Sequence, residues 1–356
     1  MDWLIHSSVR AVGGRTAAIP WVFFLVTAIL TASGAVVPGA VAIVAPIGIG
    51  FALQYGTNPL LMGLMIINGA TAGGFSPISV FGSIVNGVVE RNDLAENALL
   101  LFASSFIFNL LLSVVVVFFL FGGRELLNRR LVPGETPEGE RPAMAGGAET
   151  AEAGEVPPLD RDKILTLVGI VALIVVALAF DVDVGFVALS IAAVLSLISP
   201  KWSKDAVGKV AWPTVLLICG IVMYVGLLET IGTIDWMGEQ VATIGAALIA
   251  ALLICYVAGV VSAFASTTGI LGALIPLAVP FLETGAVGAV GMIIALSLAS
   301  SVVDSSPFST SGALTVANTP EEKRDFVFKR LMQWGMSMVV IAPPIVWLIF
   351  VVPGWL

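Results

Sequence analysis

A seven-residue pattern, Ser-Pro-x-Ser-x-x-Gly, occurs twice in this chain: as Ser76-Pro77-Ile78-Ser79-Val80-Phe81-Gly82 and, 230 residues later, as Ser306-Pro307-Phe308-Ser309-Thr310-Ser311-Gly312. Both copies interrupt long apolar sequence. Proline and clustered hydroxyls break a helix at membrane depth, and irregular backbone is tolerated there only where protein buries it or it lines a polar cavity. A pair of such breaks at matching places in two halves points to a binding site for a transported solute.

Composition sets the class in which that pattern is read. With 58% hydrophobic residues, 11% charged residues and a mean hydropathy of +1.05 over 356 residues, the chain is expected to be an all-α polytopic membrane protein. Much of the formal charge of -8 sits in residues 124–162, which hold nine acidic residues and five arginines and read as a solvated linker; no nucleic-acid partner is expected. Cys219 and Cys255 lie in apolar stretches, where small hydrophobic packing is expected rather than a disulfide or a metal site. His6 is the single histidine, which leaves little for histidine-based metal or triad chemistry. Residues 1–15 read as polar and amphipathic rather than as a cleavable signal peptide.

Full-length apolar spans are expected at 97–121, 163–180, 184–198, 210–228 and 331–352. The remaining apolar sequence falls into shorter pieces: 17–34 then 39–53, 60–75 then 79–89, 244–265 then 269–282, and 287–303 then 309–317. Each set reads as a re-entrant hairpin followed by a helix broken near its middle. The 230-residue offset also aligns Gly39 with Gly269, Pro46 with Pro276 and Met62 with Met292, while Asp2-Trp3 matches Asp235-Trp236 with a three-residue slip. The expected organisation is therefore a first inverted repeat at 1–121, a cytoplasmic linker at 122–162 and a second inverted repeat at 163–356. A cytoplasmic linker puts Lys201, Lys204, Lys209 and the Lys323, Arg324, Lys329, Arg330 cluster inside, with Asp181 and Asp183 outside, in keeping with the positive-inside rule. It gives the halves opposite orientations. About 70 residues precede Asp235-Trp236 in the second half while almost none precede Asp2-Trp3, so a late start of the reading frame is expected.

The breaks have a chemical reading. Ser76 and Ser306 suit N-caps and Pro77 and Pro307 suit the first helical position, so each Ser-Pro pair is expected to restart a helix. Hairpin tips at 36–39 and at Ser266, Thr267, Thr268 and Gly269 add two more helix starts. Free N–H groups there, with the hydroxyls of Ser79, Ser309, Thr310 and Ser266 to Thr268, suit a small anion such as a carboxylate. Unwound carbonyls near Ser266, Thr268 and Ser306 are a candidate sodium site, with Gly39 and Gly269 at the tips. Isolated Ser104, Ser105 and Ser113 are expected to back-bond to their own helix. Asp304, two residues before Ser306, carries either a cation or a proton, or caps the broken helix through backbone N–H groups. Asn68 and Asn86 are candidate polar liners, Asn68 with an ion-coupling role, or amides that bridge helices.

The order of amphipathic helix, re-entrant hairpin and broken helix, repeated with inversion, resembles the ion transporter superfamily, which includes divalent anion/sodium symporters. The stretch from Leu61-Met62-Gly63-Leu64-Met65 through Asn68-Gly69-Ala70-Thr71-Ala72-Gly73-Gly74-Phe75-Ser76-Pro77-Ile78-Ser79 is similar to the MatC-type malonate and dicarboxylate carrier branch. In the wider symporter family each tip carries Ser-Asn-Thr about ten residues before a proline; Ser266-Thr267-Thr268 fits before Pro276, and Val36-Val37-Pro38 departs from it before Pro46. The resemblance implies a homodimer in the cell membrane whose transport domain moves like an elevator and binds carboxylates between tips and breaks, coupled to sodium or protons, with no other cofactor. A cation/proton antiporter or oxyanion efflux transporter on the same scaffold is the alternative. An intramembrane serine protease built on Gly74-Phe75-Ser76 lacks a reachable base, since His6 lies at the interface.

Overall fold

The computed structural model describes residues 18–54, 56–92, 94–95, 97–117, 165–166, 168–169, 171–173, 175–176, 184–198, 208, 212–233, 236, 247–264, 267–283 and 285–354, and all regular structure among them is helical. The helices are α1 (Ile19–Ala32), α2 (Val37–Gln54), α3 (Pro59–Gly73), α4 (Val80–Arg91), α5 (Ala98–Leu112), α6 (Val184–Ile198), α7 (Trp212–Thr230), α8 (Ala247–Phe264), α9 (Thr267–Glu283), α10 (Ala289–Ser301), α11 (Thr310–Ala317) and α12 (Glu321–Val346). A π-helical stretch, Ser113–Val117, prolongs α5, a 3-10 turn, Val302–Ser305, prolongs α10, and a second π-helical stretch, Trp347–Val351, prolongs α12. Five stretches are long and apolar enough to cross a membrane: Val37–Gln54, Ala98–Val116, Ala247–Phe264, Ala289–Ala317 and Glu321–Val351. His6, the Asp2-Trp3 match, the linker at 124–162, the flanking charges from Asp181 to Lys209 and Ser266 lie outside the described residues.

Burial separates the central helices from those that face lipid. Every residue of α3 is buried, as is every residue of α10 from Gly291 to Ser301. An apolar 18-residue stretch within Ala289–Ala317 has 89% of its residues buried, whereas the corresponding stretches of the other four have 28–44%. A helix that is apolar on all sides belongs at the centre of a bundle, and the outer helices expose Leu99, Ile107, Phe186, Leu216 and Leu253 as lipid-facing residues do. Around α3 pack α1, α2 and α5; around α10 pack α8, α9 and α12. The restarted helices cross over: α11 lies against α2, and α4 lies against α9. Shifted by 230 residues, each contact in the first half has its counterpart in the second.

Lipid tails are as apolar as leucine, so close approach of backbones, more than hydrophobicity, holds such helices together. Gly69 and Gly73, one turn apart on α3, provide it. A methyl group on Gly69 would overlap the Phe24 carbonyl and the Thr27 hydroxyl, and one on Gly73 the Ala28 carbonyl and the Thr31 hydroxyl. The two threonines donate back to carbonyls of α1, to Thr27 at 3.0 Å and Ala28 at 3.2 Å in the case of Thr31, so no donor is stranded at the contact. The turn into α2 is a Schellman closure: Gly34 N–H donates to Thr31 O at 3.0 Å and Ala35 N–H to Leu30 O at 3.0 Å, with Gly34 at φ +107°.

Two expectations about outer residues change. Ser105 and Ser113 do not back-bond: the Ser105 hydroxyl donates across to Thr71 O at 3.3 Å, and Asn68 Nδ2 donates to the Ser113 hydroxyl at 3.1 Å. With a buried acceptor and donor on α3 one turn apart, a bond across the interface satisfies two elements where a back-bond satisfies one. Asn68 thus bridges α3 to the π-helical end of α5. Cys255 is buried in the core, as expected, whereas Cys219 lies exposed on α7.

Pro343 and Pro344 inside α12 remove two backbone donors, and the carbonyl four residues before each loses its partner. The hydroxyl of Tyr256 on α8 donates to Val340 O at 3.1 Å, the carbonyl that Pro344 leaves free. Trp347 Nε1 donates to Leu248 O at 2.8 Å one side further along. We expect Tyr256→Phe to lower stability by on the order of 1 kcal/mol, read as a lower thermal midpoint in detergent; an unchanged midpoint would mean that Val340 finds another donor.

Candidate functional site

The two Ser-Pro-x-Ser-x-x-Gly copies fold alike, and each fixed letter has a task. Ser76 N–H donates to Gly73 O at 3.1 Å and Ser79 N–H to Ser76 O at 2.9 Å; the second copy repeats this with Ser306 to Val303 at 2.9 Å and Ser309 to Ser306 at 3.0 Å. The Ser-Pro-x-Ser tetrapeptide is therefore a β-turn, and proline fills its second position, where its fixed φ is an advantage and no donor is missed. The fourth residue, Ser79 or Ser309, is extended and caps the next helix by accepting from Gly82 or Gly312 N–H at 3.3 Å. The same hydroxyl lies 2.7 Å from the carbonyl of Ser76 or Ser306 and also meets that of Gly74 or Asp304. The final glycine is required because a methyl group on Gly82 or Gly312 would overlap the Ser76 or Ser306 carbonyl.

This corrects the expected register. Ser76 and Ser306 are not the N-caps, and Pro77 and Pro307 are not the first helical residues; the caps come three residues later. Proline is equally at home at a helix start and in a turn, and here the turn prevails because the glycine lets the chain fold back on itself. One consequence concerns the predicted liners. The hydroxyls of Ser79 and Ser309 are occupied by the break itself. Ser306 is buried, its hydroxyl accepting from Phe308 N–H at 3.3 Å, its backbone pressed on Gly335 of α12, where a methyl group would come within 2.8 Å of Ser306 Cα. Thr310 is exposed at the first position of α11.

Asp304 holds the charged centre of the site. It is 3% exposed, and its Oδ2 accepts the Ser311 hydroxyl at 2.6 Å. The Ser309 hydroxyl meets the backbone carbonyl of Asp304, and the Thr267 side chain faces the carboxyl group with its Oγ1 3.1 Å from Ser262 Oγ on α8. Thr267 is the first residue of α9 and Ser311 the second of α11, so two helix starts converge on one carboxylate, where the positive ends of their dipoles favour negative charge. No lysine or arginine among the described residues pairs with it. The partners are hydroxyls rather than the backbone N–H groups of the capping alternative. Among the described residues no three His, Cys, Asp or Glu side chains cluster, so a cation held here would rest on Asp304 with hydroxyl and carbonyl oxygens, a donor set that suits a hard monovalent ion or a proton.

The remaining predicted residues fall around this centre unevenly. Thr267, Thr268 and Gly269 are buried in the first turn of α9, whereas Gly39 is exposed in the first turn of α2. Asn68 is committed to Ser113. Pro77 is half-buried and Pro307 buried. Ser311 and Ser262 were not anticipated, although Ser311 stands in the second motif copy. Gly63 on α3 was missed too; a methyl group there would overlap Thr315 Cγ2 on α11, which seats the restarted helix of one half on the central helix of the other. Phe308, a variable letter of the motif, stacks on Phe264 at 5.6 Å and meets Phe328 edge-on at 6.0 Å.

Residues 1–74 match the protein family described as the N-terminus of the dicarboxylate carrier protein MatC. The matched stretch ends at Gly74, the residue whose carbonyl opens the first break. No curated protein matches the chain. The match supports the dicarboxylate carrier branch and points to a carrier rather than an enzyme.

Proposed function

We propose that this chain is a secondary active transporter that moves a small dicarboxylate, of malonate or C4 size, across the cell membrane, driven by a sodium or proton gradient. The observation that carries the reading is the pair of alike helix restarts, each placing the first-turn N–H groups of α4 or α11 beside an interrupted helix, with one buried carboxylate at the second. First-turn amides have no intrahelical partner and favour an anion, and an uncompensated buried carboxylate calls for a cation or proton during the cycle. The match of residues 1–74 to the dicarboxylate carrier family supports the same substrate class. The crossing of α4 onto α9 and α11 onto α2 ties the two halves together, and we read them as inverted halves that move as one body against a scaffold in a homodimer.

Uptake of labelled malonate or succinate into proteoliposomes, with sodium, pH or no gradient, tests the reading. Accumulation is expected only with one of the gradients. Absence of carboxylate flux under every gradient, with proton-driven cation exchange in its place, would establish an antiporter instead.

A further inference from the structure

The residues around Asp304 have counterparts in the first half at the same 230-residue offset: Gly74 stands for Asp304, Val37 for Thr267 and Phe81 for Ser311. The geometry carries over with the numbering. A methyl group on Gly74 would come within 2.9 Å of Val37 Cγ2 and 3.1 Å of Phe81 Cδ2, so the spot that holds a carboxylate between two hydroxyls in the second half is closed by two apolar side chains in the first. Val37 and Phe81 are 2% exposed, and the Phe81 ring packs on Phe75 at 5.4 Å. Neither offers an oxygen. The first tip adds none: Gly34 at its turn faces Ile78 O, and Ser33 donates its hydroxyl back to Leu30 O at 2.9 Å.

We infer that the protein carries a single coupling-cation site, made by Asp304, Thr267 and Ser311 with Ser262 behind them, and that the equivalent place in the first half is an apolar plug. A hard cation needs several oxygen ligands with a charge to balance it, and a proton needs a titratable group; at the equivalent place the described residues of the first half offer Gly74, Val37 and Phe81, whose side chains carry neither oxygen nor charge. The charged side chains on the element packed against the Val302–Ser305 turn from α12, Glu321, Glu322, Lys323, Arg324, Asp325, Lys329 and Arg330, are all exposed, and α8, α10 and α11 add no charged side chain within their spans. The cation is therefore exchanged at one carboxylate. This deepens the proposed transport and rests on it for the meaning of the cation, but the count of sites does not depend on any carboxylate being carried.

The test is equilibrium binding to the full chain in detergent, with labelled sodium in one arm and proton uptake measured with a pH indicator in the other, for the parent, Asp304→Asn and Phe81→Ala. One cation per chain is expected in one of the two arms, lost in Asp304→Asn and unchanged in Phe81→Ala. Two cations per chain, a site that survives Asp304→Asn, or no cation in either arm would overturn the inference. In proteoliposomes active for malonate, the gradient needed to hold a given accumulation is expected to match one cation per turnover. Binding of one cation without any carboxylate flux would sink the substrate reading and leave the single site standing.

Discussion

Gly312→Ala should stop transport and lower the thermal midpoint of the protein, while Gly50→Ala should leave both intact or raise the midpoint. The two substitutions add the same methyl group to a glycine near the start or middle of a helix. At Gly312 the new carbon would overlap the backbone carbonyl of Ser306, which is itself fixed by Ser309 N–H, the Ser309 hydroxyl and the press of Gly335. Backbone held on three sides has no rotamer by which to yield, so the cost falls at the upper end for overpacking, about 3 kcal/mol. The break must open or α11 must shift, and either takes Ser311 away from Asp304. At Gly50 nothing lies within 4 Å, and alanine gains up to about 1 kcal/mol of helix propensity. The paired readout is uptake and thermal midpoint in detergent. A Gly312→Ala protein with unchanged uptake and midpoint would mean that the turn has slack which the packing does not reveal. Gly82→Ala should behave like Gly312→Ala in stability, because the Ser76 carbonyl stands in the same place.

That prediction depends on a detail the motif contained but did not disclose. The breaks, their proline and their order along the chain were legible because polar letters in apolar sequence leave few alternatives, and the helices flanking them appear where the apolar pieces were drawn. The register of the restart was not legible, since a Ser-Pro pair suits a helix start and a β-turn equally; the deciding element is the glycine six residues after the first serine, whose meaning is a close approach between backbone atoms. Ser105 and Ser113 were misread for a related reason. Back-bonding is the local option for a helical serine, and the partners that outcompete it, Thr71 and Asn68, lie on another helix. Tyr256 and Val340 are 84 residues apart in sequence and meet only because α8 lies on α12. In contrast, the unequal character of the halves was visible in the polar tip and in Asp304, and the offset that aligned Gly39 with Gly269 also pairs Gly74 with Asp304. What sequence alone lacked was the knowledge that Val37 and Phe81 converge on Gly74 as Thr267 and Ser311 converge on Asp304.

The same geometry divides two serines that the motif treats as equals. Ser309→Ala should abolish uptake, and Ser306→Ala should reduce it by no more than a few-fold; the double variant should be as inactive as Ser309→Ala. The Ser309 hydroxyl accepts from Gly312 N–H and lies against the carbonyls of Ser306 and Asp304. Its removal strands one helix-start donor and takes a hydroxyl from two buried carbonyls, of which Ser306 O keeps the Ser309 N–H and Asp304 O loses its hydroxyl partner, a loss of about 1–2 kcal/mol for the cap alone and more for an acceptor left dry. It also frees the turn that aims Asp304 at Ser311. The Ser306 hydroxyl makes a single long bond, from Phe308 N–H at 3.3 Å, and Phe308 is 48% exposed, so that water reaching the break can take the acceptor's place. Alanine keeps the extended backbone and the carbonyl that the turn uses, so the fold of the break survives. Uptake of labelled dicarboxylate, normalised to inserted protein, separates the two. If Ser306→Ala were as damaging as Ser309→Ala, its hydroxyl would have to turn from Phe308 toward the ligand during the cycle, and the substrate would then sit on the turn itself rather than on the first-turn amides of α11.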